Sequence, residues 1–136
     1  MTPSQITLVQ ESFKLVPPQA AAELFYGRLF EVAPSVRDLF PEDMSEQKVK
    51  LMTMIGIAAK GLNDLERLVP AVEALGRRHV AYGATPAHYG VVGDCLLWTL
   101  EQGLGDAFTP EVADAWATAY GLLADTMIGA AHKTAA

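Results

Sequence analysis

Three side chains with metal-binding or hydrogen-bonding groups stand where the helical pattern of the sequence expects apolar residues. His79 lies four residues after Leu75, and Gln47 lies four residues before Leu51, in both cases on the apolar stripe of a predicted helix. Tyr26 stands within an equally apolar segment. A buried imidazole, amide or phenol each requires a hydrogen-bond partner or a ligand. Inward polar groups of this kind indicate an internal pocket rather than a simple helical bundle.

Two interpretations of His79 remain open from spacing alone. Its stripe consists of Leu68, Val72, Leu75, His79 and Tyr82. A histidine on such a stripe is either a core residue hydrogen-bonded to a carbonyl or a metal ligand, since neutral imidazole commonly binds iron and zinc. For Tyr26 and Gln47 the alternatives are an internal partner, water or a ligand, or a polar tip that reaches solvent.

Composition limits the classes of protein to consider. The chain has 136 residues, 51% hydrophobic residues and a net charge of -6. This length predicts one domain, residues 1–136, and the acidic balance argues against nucleic-acid binding. The apolar excess indicates an oligomer interface or an internal pocket, so both a monomer and a homodimer remain open. Because Cys95 is the only cysteine, neither an internal disulfide nor a thiolate cluster is expected.

The compartment follows from what the sequence does not contain. The first ten residues, MTPSQITLVQ, lack the basic and then apolar pattern of a signal peptide. No apolar run approaches the 18 residues or so that a membrane span needs. We therefore expect a cytoplasmic protein without a membrane span.

Helical signals dominate the chain. Threonine precedes proline at Thr2, Thr85 and Thr109, a pair that suits a helix start, and Gln5 completes a capping box with Thr2. Ser45 is expected to cap a further helix. The predicted helices cover approximately residues 3–15, 19–31, 46–61, 68–83, 86–102 and 110–131, with a short helical turn at 34–40. No segment has a convincing strand pattern, so the predicted fold class is all-α.

The order of the unusual residues resembles that of single-domain bacterial globins of the flavohaemoglobin and Vitreoscilla haemoglobin lineage. The succession is Phe25-Tyr26, Leu39-Phe40, Gln47, Leu51, His79, His88-Tyr89, Trp116 and Tyr120. Residues 75–79 and 92–97 are also similar to a globin of a thermophilic methanotroph. The resemblance runs nearly end to end. It implies the globin fold, a three-over-three helical sandwich that encloses haem.

The resemblance also implies a role for each site residue. His79 would bind the iron of protohaem (haem b), and Tyr26 and Gln47 would be the reactive pair that donates hydrogen bonds to dioxygen. Lys50 and Arg78 would meet haem propionates, although a solvated surface lysine is an equal alternative for Lys50. Other residues would contact the haem; these are Phe40, Leu51, Leu75, Tyr89, Val92 and Leu96.

One position departs from the family pattern. Where flavohaemoglobins carry a glutamate that accepts a hydrogen bond from the proximal histidine, this chain has Ala131. A carboxylate acceptor would increase electron donation to iron and favour oxygen activation. We therefore expect a backbone carbonyl to orient His79 and the iron to be milder.

The implied activity is reversible dioxygen binding, with nitric oxide and carbon monoxide as further gas ligands. Dioxygenation of nitric oxide to nitrate is one use, and oxygen storage or supply is another, so the sequence leaves open whether the protein is an enzyme. Only 57 residues follow His79 and predicted helices occupy them, so we expect the reductase to be a separate protein. The alternatives are a haem-based gas or redox sensor with internally ligated iron, and a helical interaction module without haem.

Overall fold

The computed structural model describes residues 1–81 and 83–135, except the side chains at 81, 86 and 131–135. Tyr82 and the side chain of Ala131, both considered above, lie outside the described residues. Within this part of the chain there are six α-helices and two short 3-10 helices, and no strand. The α-helices are α1 (Pro3–Phe13), α2 (Pro18–Val32), α3 (Ser45–Gly61), α4 (Leu65–Ala81), α5 (Pro86–Leu104) and α6 (Pro110–Ala135). The 3-10 helices are Pro34–Leu39 and Gly105–Ala107. The all-α prediction is confirmed.

Two of the predicted helix starts act through their threonine side chains. Thr2 Oγ1 accepts a hydrogen bond from Gln5 N at 3.1 Å, and Gln5 Oε1 accepts one from Thr2 N at 3.0 Å. At the start of α6, Thr109 Oγ1 accepts a hydrogen bond from Val112 N at 3.2 Å. These bonds satisfy backbone N–H groups that have no partner inside the helix.

The prediction that Ser45 caps α3 is wrong. Ser45 is the first residue of the helix, and its N–H donates to Asp43 Oδ1 at 3.0 Å, so the aspartate before it supplies the acceptor. At the start of α5 the cap uses a residue that sequence reasoning left unassigned. His88 Nδ1 accepts a hydrogen bond from Thr85 N at 3.0 Å.

The helices pack in two layers around one core. Helix α6 packs against α1 and α4, while α2 packs against α3 and α5. A hydrogen bond from Trp116 Nε1 to Ser12 Oγ, 2.8 Å long and buried, ties α6 to α1. The core is formed mainly by aliphatic and aromatic residues of these elements, among them Val9, Phe25, Leu29, Leu100 and Trp116.

Two helix crossings are close enough to require glycine. A Cβ atom on Gly76 of α4 would stand 2.4 Å from the carbonyl oxygen of Met127 in α6. A Cβ atom on Gly93 of α5 would stand 2.7 Å from the ring of Tyr120 in α6. Both distances are far shorter than a carbon contact allows. Glycine at these positions therefore brings α4 and α5 against α6.

No helix in the described part of the chain combines the length and the apolar character needed to span a membrane.

Candidate functional site

His79 lies in the last turn of α4 and is held by its own helix. Its Nδ1 is 2.8 Å from the carbonyl oxygen of Leu75, one turn earlier. A carbonyl can only accept, so Nδ1 donates this hydrogen bond. The predicted backbone acceptor for His79 is thus confirmed, and a neutral imidazole held in this way would bind a metal through Nε2. In the turn after α4, Ala84 N donates to His79 O at 2.9 Å. Gly83 lies within this turn and has a positive φ of 92°.

Tyr89 on α5 stands beside His79. The two rings have centroids 6.4 Å apart and an interplanar angle of 36°. Tyr120 on α6 donates from its hydroxyl to the carbonyl oxygen of Tyr89 at 2.6 Å, and Gly93 leaves room for the Tyr120 ring. Burial, with smaller contributions from neighbouring groups, raises the pKa of Tyr120 well above its ordinary value. The phenol therefore stays protonated and fixes the start of α5 next to His79.

Tyr26 and Gln47 meet, although 21 residues separate them in the chain. Gln47 Nε2 of α3 donates to the Tyr26 hydroxyl of α2 at 3.3 Å. Tyr26 is only 4% exposed, and this burial raises its pKa despite the opposing effect of the Gln47 hydrogen bond. A neutral phenol that accepts from Gln47 keeps its own O–H proton for another acceptor. The pair can thus donate a hydrogen bond to a small polar ligand.

An aromatic cluster holds Tyr26 in place. Its ring meets Phe25 edge-on at 5.0 Å between centroids and Phe40 edge-on at 5.5 Å. Phe30 completes the cluster, 5.6 Å from Phe40. Edge-to-face packing of this kind adds stability beyond the burial of area. Phe40, at the end of the first 3-10 helix, therefore lies against the hydroxyl-bearing ring rather than in a separate core.

Apolar side chains connect the two polar regions. Tyr89, Val92 and Leu96 recur on one face of α5, which extends about 10 Å over this interval at 1.5 Å per residue. Tyr89 marks the His79 end of that face, while Leu96 lines an apolar cavity together with Leu51 of α3. Leu51, Leu75 and Val92 are half-buried and pack on the core. This apolar wall on α5 thus runs from the His79 ring to a cavity that α5 shares with α3.

The two charged residues predicted for the site differ from the rest. Lys50 and Arg78 are exposed, and neither forms an ion pair with a described residue. Lys50 follows Gln47 by one turn of α3, and Arg78 immediately precedes His79 on α4. Both residues are therefore exposed and close in sequence to Gln47 and His79.

The arrangement suits a flat, apolar group that brings a metal ion with it. One imidazole supplies one ligand, so a group that provides its own equatorial donors is the chemistry that matches a single histidine. The apolar wall suits its faces, and the Tyr26–Gln47 pair suits a polar ligand on the metal. These donors and surfaces are compatible with a metalloporphyrin.

A family model described as globin matches residues 23–127. The chain is 35% identical to a flavohemoprotein of Bacillus subtilis over 108 residues, 77% of this chain and 27% of the relative. It is 32% identical to a flavohemoprotein of Vibrio cholerae over 133 residues, 94% of this chain and 34% of the relative. It thus spans about a third of these relatives or less.

Two solved structures share the architecture. A bacterial globin from Campylobacter jejuni superposes with a TM-score of 0.88 at 27% identity, over 98% of this chain and 99% of that one. A carbene transferase engineered from RmaNOD, a candidate nitric oxide dioxygenase of Rhodothermus marinus, superposes with a TM-score of 0.88 at 26% identity. That alignment covers 99% of this chain and 96% of the other.

Proposed function

This chain belongs to the globin family, and we propose that it holds protohaem (haem b) through His79, binds dioxygen reversibly and removes nitric oxide. Family membership supports the binding of haem and of small gases such as dioxygen. When bound, haem supplies an iron that takes up these gases and, with dioxygen, oxidises nitric oxide to nitrate. Storage or supply of oxygen is the other use of the same binding chemistry.

The hydrogen bond between Gln47 and Tyr26 is the observation that carries this proposal. It places two polar groups together in a buried, largely aromatic environment, where hydrogen bonds are stronger than in water. Tyr26 keeps its proton because burial raises its pKa. A donor pair of this kind retains a ligand that gains negative charge on binding. Slow release of dioxygen favours detoxification or storage over rapid delivery.

On the other side, His79 would bind the iron through Nε2. The carbonyl oxygen of Leu75 accepts the hydrogen bond from Nδ1 but, unlike a carboxylate, does not draw the Nδ1 proton away from the ring. A neutral imidazole donates fewer electrons than one bonded to a carboxylate. This supports a milder iron, suited to holding dioxygen rather than to splitting it.

The remaining site residues would bind the porphyrin. Phe40 and Leu51 would contact it from the distal side and Tyr89 from the proximal side, with Leu75, Val92 and Leu96 as further apolar contacts. Lys50 and Arg78, both exposed, would each meet a propionate. We further propose that the protein works in the cytoplasm with a separate reductase.

An absorption spectrum of the haem-loaded protein tests the proposal. We expect a five-coordinate ferrous spectrum that converts on addition of oxygen to a long-lived species, which nitric oxide then consumes with formation of nitrate. A low-spin, six-coordinate ferrous spectrum would mean that an internal ligand blocks the site, and would contradict the proposal in favour of a sensor.

His79→Ala tests the ligand itself. The variant should lose haem during gel filtration, and free imidazole should restore retention because it replaces the missing donor. Unchanged spectra and retention without imidazole would refute the role of His79. His88→Ala is the matched control, since His88 Nδ1 serves the α5 cap rather than the site.

A further inference from the structure

The positive charges of this acidic chain are concentrated on two neighbouring helices. Helices α3 and α4 carry six basic and three acidic residues, a net charge of +3. The rest of the chain carries four basic and thirteen acidic residues, a net charge of -9. These two helices also carry Gln47 and His79, the polar residues on opposite sides of the proposed haem site. The excess of positive charge therefore lies on the two helices that carry these two residues.

The cations on these helices are mostly exposed and without a counter-charge. Within the described part of the chain, Lys50, Lys60, Arg77 and Arg78 are exposed and form no ion pair. The cations elsewhere whose side chains the structure describes already have partners. Lys14 pairs with Glu11 at 3.1 Å, Arg28 pairs with Glu31 at 3.2 Å, and Arg37 donates to three backbone carbonyls. Among the described side chains, the cations without such a partner thus lie on α3 and α4.

Exposed apolar residues accompany these charges. On α3, Val49 is 67% exposed and Ile57 is 49% exposed, and helical spacing puts both on the side that carries Lys50 and Lys60. On α4, Leu65, Val69 and Val80 are also at least a third exposed. Exposed apolar patches rimmed by polar residues are typical of protein contact surfaces.

We propose that the outer face of α3 and α4 is the docking surface for an acidic protein that carries one electron at a time. The proposal rests on the proposed function, in which oxidised haem must be reduced before each new cycle. In each encounter the reduced carrier would lose one electron. The ferric iron would gain that electron and become ferrous. Charge complementarity identifies the partner class as acidic. The chain outside α3 and α4 carries a net charge of -9, so it repels an acidic partner and orients it toward the positive α3 and α4.

A small, acidic flavodoxin is the probe. Oxidised flavodoxin would be titrated into the ferric, haem-loaded protein by calorimetry, which measures affinity without any turnover. We expect weak binding that weakens at least tenfold between about 0.02 M and about 0.5 M salt, as screening shortens the range of the charges. Reduced flavodoxin would then be mixed with the ferric protein by stopped flow, with dithionite as a small reductant for comparison.

Charge reversals locate the surface. Arg77→Glu and Lys60→Glu should each weaken flavodoxin binding and slow its electron transfer about fivefold or more at low salt, while reduction by dithionite changes less than about twofold. Lys14→Glu, with the same change of net charge just after the end of α1, should change both by less than about twofold. Lys50 and Arg78 are left unchanged because both are assigned to the haem propionates.

Three outcomes would overturn the proposal: equal losses in Lys14→Glu and the α3–α4 variants, binding without salt dependence, or no binding at low salt. If the α3–α4 reversals instead abolish binding to anionic phosphatidylserine vesicles while flavodoxin does not bind, the face contacts a membrane surface and the proposal is wrong. Failure of the proposed function would be visible earlier, as a wild-type protein that does not retain haem or take up oxygen.

Discussion

Replacement of Tyr26 by phenylalanine isolates one oxygen atom of the candidate site. Phenylalanine keeps the ring and its edge-on packing on Phe25 and Phe40, at 5.0 and 5.5 Å between centroids. It removes the hydroxyl that accepts from Gln47 Nε2 and that has its own proton to donate. The aromatic cluster should therefore survive, and the change in ligand retention should report on the hydroxyl alone.

The size of the effect follows from the environment of the hydroxyl. Tyr26 is 4% exposed, so water does not readily replace its hydrogen bond to a ligand. A hydrogen bond to a group that carries charge contributes about 1.5–3 kcal/mol, which corresponds to roughly ten- to a hundredfold in a rate. We expect dioxygen to leave haem-loaded Tyr26→Phe faster by this factor. Carbon monoxide, which gains little charge on binding, should change by much less.

The assay is stopped-flow displacement of dioxygen by excess carbon monoxide. Tyr120→Phe is the matched control, because it deletes the same atom from a buried tyrosine whose hydroxyl serves the Tyr89 carbonyl at 2.6 Å. Gln47→Leu should also speed release, and the double variant should lose less than the sum of the single losses since the two groups are bonded. An unchanged rate in Tyr26→Phe, or an equal change in Tyr120→Phe, would refute the reasoning.

Three further predictions concern stability. Gly76→Ala should lower the free energy of unfolding, measured in urea, by about 3 kcal/mol, because the added Cβ would stand 2.4 Å from a backbone atom. Gly90→Ala is the control. Its added Cβ meets nothing within 4 Å, so the free energy of unfolding should rise by about 0.5–1 kcal/mol. Ser12→Ala should cost about 1–3 kcal/mol in the same measurement because Trp116 Nε1 loses its buried acceptor. Since burial raises the pKa of Tyr120 above 10.0, the folded state holds that proton more tightly. The stabilisation that comes from this proton is fully present below about pH 10 and is lost as the pH rises above it. Tyr120→Phe should therefore reduce the decline of the unfolding free energy, measured in urea, between about pH 9 and 11.

Local signals in the sequence predicted the helices well. Thr2 and Gln5 form the capping box that their spacing indicated, and Thr109 accepts at the start of α6. Such signals succeed because the donor and acceptor are three residues apart. The prediction for Ser45 was wrong because α3 begins at Ser45 itself. The side chain of Asp43, two residues earlier, supplies the acceptor for the Ser45 N–H. The role of His88, the third residue of α5, was missed because glutamate or glutamine is the usual capping-box signal at that position.

The distal pair could be predicted as two inward polar residues, but not as one unit. Helical spacing gives the direction of Tyr26 and of Gln47 separately. Their contact at 3.3 Å depends on how α2 and α3 pack, which in turn depends on the aromatic cluster at Phe40. The resemblance to globins supplied the pairing, whereas the periodicity supplied only the two directions.

The position of His79 depends on residues that are remote in sequence. Gly76 within α4 would be read locally as a weakness, since glycine costs a helix about 1 kcal/mol relative to alanine. Glycine is needed at this position because of α6. The backbone at Met127, fifty-one positions later, occupies the space that a Cβ atom on residue 76 would need. His79 follows Gly76 by three residues and so lies on the same face of α4. The depth at which α4 packs on α6 therefore sets where the imidazole stands, and a larger residue at 76 would move His79 without touching it.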